Sequence, residues 1–227
     1  MAVLVLADHD NASLGDATAK TVSAAAAFGG DIDILVAGKG VSAVAEAAAK
    51  ISGVRKVLVA ESDALEAALA EAVEALVVPL MDGYDAVFAP ATTMGKNCAP
   101  RIAAKLDVMQ LSDISDVIDA DTFERPIYAG NAIITVKAPD SQVLVGSVRC
   151  ASYAEAGDGG SAEVEALSLD VELPGHTRFI GLEQHKSDRP DLQTAPKVIT
   201  GGRGVGSEEN FKIIYDFADK IGAGVGA

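Results

Sequence analysis

Four short apolar runs alternate with alanine-rich helical patterns along the first half of the chain. That alternation constrains the fold more than any other feature. Residues 2–7 form an unbroken apolar stretch ended by Asp8. A strand that is apolar at every position, not every second one, is covered on both faces. Residues 32–37 are read as a second buried strand, and 56–60 and 86–89 as a third and a fourth strand. Between them, residues 17–28, 41–51 and 65–81 carry helical patterns, and 97–106 closes the series. Strands and helices at this spacing predict an α/β fold, a Rossmann-like parallel sheet with helices on both faces.

The pattern then changes. From Val108 to Arg149 the segments are short, β-branched and broken by Asp, Pro and Gly. Residues 123–128, 132–137 and 142–148 read as strands, expected to add antiparallel hairpins to the sheet, with a turn over 138–141. Residues 154–162 are a polar, glycine-rich loop, and 163–171 alternate like one more strand. Residues 174–196 hold three prolines and little periodicity, and read as the approach to another domain. The expected division is a domain over 1–183, a linker over 184–196, and the first βα unit of a second α/β nucleotide-binding domain over 197–227.

That last stretch reads strand, loop, helix. Val198, Ile199 and Thr200 are a short β-prone run, followed by four glycines in the six residues from Gly201 to Gly206. Ser207 precedes Glu208 and Glu209, as an N-cap precedes an acidic first turn. Phe211, Ile214, Tyr215, Ala218 and Ile221 share one helix face, and Gly222 marks the stop. Glycines let a backbone approach a pyrophosphate, and free helix amides point at its charge. The spacing is G-x-G-x-G, one residue short of the dinucleotide fingerprint, so on spacing alone a plain strand-to-helix turn fits as well. Residues 222–227 read as the entry to a next element, as if the chain stopped inside a domain.

Charge narrows the partners. The chain carries 18 basic and 33 acidic residues, a net −15, and residues 197–227 are balanced, so the excess lies upstream. Such a surface repels nucleic acid and anionic membranes. Cys98 and Cys150 stand apart, which suggests neither a disulfide framework nor a secreted protein. His9, His176 and His185 have no metal-ligand spacing, and no metal site is expected. No signal peptide or membrane-length apolar run is read, which fits a bacterial cytoplasmic protein without membrane insertion. Gly95-Lys96-Asn97 resembles the end of a Walker A loop but lacks the leading glycine and the Ser/Thr, and is set aside. Arg101 is expected in a structural ion pair. Asp113, Asp116, Asp119 and Asp121 are read as solvated loop residues. No catalytic residue can be picked out.

Several segments together resemble the alpha subunit of electron transfer flavoprotein, of the bacterial type. These are the run from Pro90 to Arg101, Ala103-Ala104, Leu106-Asp107-Val108, Ser112-Asp113, and the distinctive run from Phe123 to Ala132. The run from Ser187 to Leu192, Gly201-Gly-Arg-Gly204, Glu209-Asn-Phe211, Ala218-Asp219 and the run from Ala223 to Ala227 continue the resemblance in order. It implies an electron carrier, not a substrate-converting enzyme. It implies one FAD, held mainly by the carboxy-terminal domain, and a heterodimer with a beta subunit that holds AMP. It implies electrons received from acyl-CoA dehydrogenases, as in fatty acid beta-oxidation, and passed to a membrane electron transfer flavoprotein–quinone oxidoreductase. Carried over residue by residue, the cofactor contacts are Arg203 and the backbone near Gly204. The family continues where this sequence stops, so this chain alone is expected to bind FAD poorly. Two other readings stand beside it. One is an NAD-binding dehydrogenase domain, with Asp219 near the distance of the ribose-binding acid. The other is a module that only pairs with another subunit.

Overall fold

The computed structural model describes residues 1–139, 143–168, 171–183, 189–190, 192 and 195–227. The chain divides into two compact units, Met1–Phe179 and Ile180–Ala227.

The first unit runs β1 (Ala2–Leu6), α1 (Asp16–Phe28), β2 (Asp31–Gly38), α2 (Ser42–Ala48), β3 (Val54–Glu61), α3 (Ala70–Leu80), β4 (Ala86–Pro90) and α4 (Thr93–Lys105). It continues with β5 (Gln110–Ile114), β6 (Asp116–Val117), β7 (Thr122–Ile127), β8 (Ala132–Lys137), β9 (Leu144–Val148) and β10 (Glu163–Ala166). Seven strands form one sheet in the order β10-β3-β2-β1-β4-β9-β5, and every pairing in it is parallel.

The continuous apolar runs are explained by two core layers. On β1, Val3 and Val5 face one layer with Val22, Ala25 and Phe28 of α1 and Val44 and Ala48 of α2. Leu4 and Leu6 face the other, with Val73, Leu76 and Val77 of α3 and Cys98 and Ile102 of α4. Each fully buried side chain of this size contributes about 1.5–3 kcal/mol. The polar interruption, Asp33, is fully buried yet satisfied. Arg55 donates to it from Nε at 2.8 Å and Tyr84 Oη at 2.6 Å. Burial, and then the bond to Asp33, push the Tyr84 phenol well up.

Three expectations change. The helix expected over 65–81 begins at Ala70, because Ala68 takes a left-handed φ of 46° after a short 3-10 turn at Asp63–Leu65. The helix expected over 97–106 begins one turn earlier, where Thr92 Oγ1 accepts from Gly95 N at 3.4 Å. Residues 142–148 were expected in a hairpin with the preceding strand. Instead β9 is a fully buried parallel strand between β4 and β5, and the antiparallel strands β6, β7 and β8 form their own three-stranded sheet. The turn expected over 138–141 and the linker expected over 184–196 lie partly outside the described residues. The strand expected over 163–171 is described at Glu163–Ala166.

The second unit holds β11 (Val198–Thr200), α5 (Glu208–Ile221) and β12 (Gly224–Gly226). Ser207 Oγ accepts from Asn210 N at 3.2 Å, and Gly222 ends the helix at φ 64° in the left-handed region that favours glycine. The six residues after the helix are more than an entry segment. Residues 224–226 pair parallel with β11, Val198 opposite Gly224 and Thr200 opposite Gly226, so strand, helix and strand close one βαβ unit.

Candidate functional site

The site is the connection between β11 and α5. Gly201 is buried and donates to Gly226 O at 3.1 Å, which ties the end of β11 to β12. Residues Arg203–Val205 wind into a 3-10 turn, and Gly206 follows at φ 84° to turn the chain into the Ser207 cap. Phe211 packs under the loop, and its ring meets that of Tyr215 edge-on at 5.1 Å. Arg189 lies 4.5 Å over the Tyr215 ring.

This arrangement leaves donors uncovered. Among the described residues, the backbone N–H groups of Gly202, Arg203 and Gly204 have no acceptor, nor do those of Glu208 and Glu209. The Arg203 side chain is exposed and forms no ion pair among the described residues. An open cleft of about 530 Å³ runs along these groups, lined by residues that include Gly202, Arg203, Gly206, Ser207, Phe211 and Tyr215. Uncovered amides, a free guanidinium and the positive end of a 14-residue helix fit a pyrophosphate. Arg203 therefore lines the cleft. Gly204, whose amide is also uncovered, is not among the residues that line it. Glu208, read from sequence only as first-turn acidity, also lines the cleft, and its carboxylate opposes an anion there. Phe211 and Tyr215, read as part of one helix face, both border the cleft. Their i, i+4 spacing is the signal that pairs them.

The remaining sequence features resolve into structure. Asp219 lies inside α5 and is held by Arg189 at 2.6 and 3.0 Å, which lowers its pKa. It is not at the end of β12, where an NAD-binding acid would stand. Arg101 pairs with Glu71 at 3.1 Å. Asp113 pairs with Arg149 and Asp121 with Lys137, so these two carry more than loop solvation. A Cβ at Gly95 would collide with the Pro90 carbonyl, so that glycine serves the packing of α4 against β4. No cluster of His, Cys, Asp or Glu among the described residues has metal-site geometry. No described helix is long and apolar enough to cross a membrane.

Comparison with known proteins bears on both units. Residues 3–172 match the family described as electron transfer flavoprotein domain, and residues 191–227 match the electron transfer flavoprotein FAD-binding domain. The chain is 54% identical to the electron transfer flavoprotein subunit alpha of Pseudomonas aeruginosa, over all of this chain and 73% of that protein. It is 52% identical to that of Paracoccus denitrificans, over all of this chain and 73% of that protein. It is 43% identical to the probable mitochondrial subunit alpha of Caenorhabditis elegans, over 99% of this chain and 68% of that protein.

Proposed function

The chain belongs to the electron transfer flavoprotein family as an alpha subunit, and from that premise we propose that its glycine cleft holds part of an FAD. Arg203 and the backbone at Gly204 are the proposed contacts. The supporting observation is an unpaired Arg203 beside uncovered loop amides, inside the segment that matches an FAD-binding domain. When bound, the flavin supplies the electron chemistry. The chain's own groups bind and orient it. A planar guanidinium gives a fixed cation against a pyrophosphate or an electron-rich ring. The α5 terminus adds the positive end of its dipole, and the glycines let the backbone come close.

The working unit on this reading is a heterodimer. Residues 1–183 pair with a beta subunit that holds AMP, 184–196 link, and 197–227 open the FAD domain. The complex acts in a bacterial cytoplasm, takes electrons from acyl-CoA dehydrogenases and passes them to a membrane-bound quinone oxidoreductase. The cleft is open and rests on one βαβ unit, so this chain by itself encloses little of a dinucleotide and holds FAD weakly.

The test is a titration of FAD, and separately of NAD, into the chain with and without a beta-type subunit, read by flavin absorbance and thermal shift. FAD retained by the heterodimer with no response to NAD is the expected result. A thermal shift with NAD and none with FAD overturns the proposal.

A further inference from the structure

Arg189, Pro190 and Leu192 precede β11 and are fastened to the βαβ unit at two places. The Pro190 carbonyl oxygen would lie 3.1 Å from a Cβ on Gly224, and Leu192 Cδ2 3.4 Å from the same point, so both rest against the backbone of β12. Arg189 reaches the helix instead. Its Nε donates to Asp219 Oδ1 at 2.6 Å and its Nη2 to Asp219 Oδ2 at 3.0 Å. The same guanidinium lies 4.5 Å over the Tyr215 ring. Tyr215 and Asp219 stand at i and i+4 on α5, so one planar fork spans both.

As an ion pair this contact adds little to stability, since both side chains are partly exposed. Its geometry is what counts. Two parallel bonds fix the plane of the guanidinium, and a fixed plane fixes the ring stacked on it. That ring borders the flavin cleft and meets Phe211 edge-on at 5.1 Å. Phe211 in turn lies so close to the glycine loop that a Cβ on Gly201 would come within 2.6 Å of it. Asp219, Arg189, Tyr215, Phe211 and Gly201 thus make one line of contacts, from the last turn of α5 to the loop that carries Arg203. The first two of these residues do not border the cleft; the last three do.

We infer that Arg189 is a positioning residue of the cleft. Held by Asp219, it sets the Tyr215 ring, and Tyr215 braces Phe211 under the glycine loop. The loop amides and Arg203 then keep the placement a dinucleotide needs. This role rests on the reading of the cleft as a flavin site.

The dissociation constant of FAD is measured by flavin absorbance for the heterodimer with a beta-type subunit, and ring NMR of Phe211 is recorded on the chain without flavin. Arg189→Gln should weaken FAD about two- to fivefold, the worth of a partly exposed cation–π contact. It should also erase the ring-current shift that the edge-on Tyr215 imposes on Phe211. Tyr215→Leu should weaken FAD at least as much, and adding Arg189→Gln to it should cost nothing more, because the two act through one contact. Asp216→Asn is the control: it removes the exposed Lys212–Asp216 pair on the same helix and should alter neither readout. If Arg189→Gln fails to fold, Asp219→Asn, which frees the guanidinium without removing it, decides by the same two readouts. Losses that add in the double variant overturn the inference, and so does a Phe211 shift that survives Arg189→Gln, since Arg189 then only stabilises α5. An unaltered heterodimer that holds no FAD refutes the flavin reading first and this role with it; FAD held equally well by the unaltered complex and by Arg189→Gln refutes this role alone.

Discussion

Replacing Gly201 by alanine tests the architecture of the cleft without touching a proposed contact. A Cβ there would lie 2.6 Å from Phe211 Cε2 and 3.1 Å from both Phe211 Cζ and Val205 Cγ2. Ordinary contact begins near 3.4 Å, so the Phe211 ring must withdraw by most of an ångström. Phe211 is half-buried, with room on one side, and it anchors the first turn of α5 under the loop. Overpacking of a tight site costs about 1–3 kcal/mol, and the open side puts this case near about 1–2 kcal/mol. Native-state hydrogen exchange is the assay. The amides of Gly201 and Gly224 report directly, since they donate to Gly226 O and Lys197 O across the two-stranded sheet. Their protection should fall about tenfold. Gly204→Ala is the control, because a Cβ there meets no heavy atom within 4 Å, and protection should stay unchanged. Unchanged protection in Gly201→Ala, or an equal loss in Gly204→Ala, refutes the packing argument.

Other outcomes follow from the first unit. Asp33→Ala leaves the Arg55 and Tyr84 donors without their shared acceptor. Breaking a buried pair costs about 3–5 kcal/mol, but Arg55 is partly exposed, so urea denaturation should show about 2–3 kcal/mol. Burial lowers the His9 pKa below 6.5, against the opposing pull of Asp8 and Asp10. Its stabilising contribution is whole above that unfolded value and is lost as pH falls through the lowered folded value, so melting temperature should drop on acidification from about pH 7.5 to about pH 5.5. His9→Gln should flatten that slope; an unchanged slope refutes the assignment. Burial pushes the Cys98 thiol up to about 11 and raises Cys150 as well. Both should resist iodoacetamide at neutral pH until the chain is unfolded, as mass spectrometry can check. Native labelling of Cys98 counts against its burial.

What could be read without coordinates was local. β1 and the caps of α5 depend on near neighbours: an apolar run, a serine before two acids, a glycine after the last turn. The start of α3 was missed because Ala68 turns left-handed with no glycine or proline to mark it. β9 was misplaced because it follows β8 closely in sequence, whereas its burial between β4 and β5 is set by tertiary packing. β5 is a half-exposed edge strand with only one fully buried position, Ile114, and carries almost no pattern. At the site, the glycines and Arg203 were legible as a motif. That Arg203 forms no ion pair among the described residues, and that Glu208 faces the same cleft, are consequences of where other groups sit, which a linear pattern does not encode.

The most direct measurement is the visible absorption spectrum of this protein purified with its beta-type partner from its own cells, beside the same complex carrying Arg203→Ala. The account predicts oxidised-flavin bands in the first, and a flavin dissociation constant raised at least about tenfold in the second, the loss of one charge-assisted contact. A colourless complex, or flavin held equally well without the Arg203 guanidinium, contradicts it.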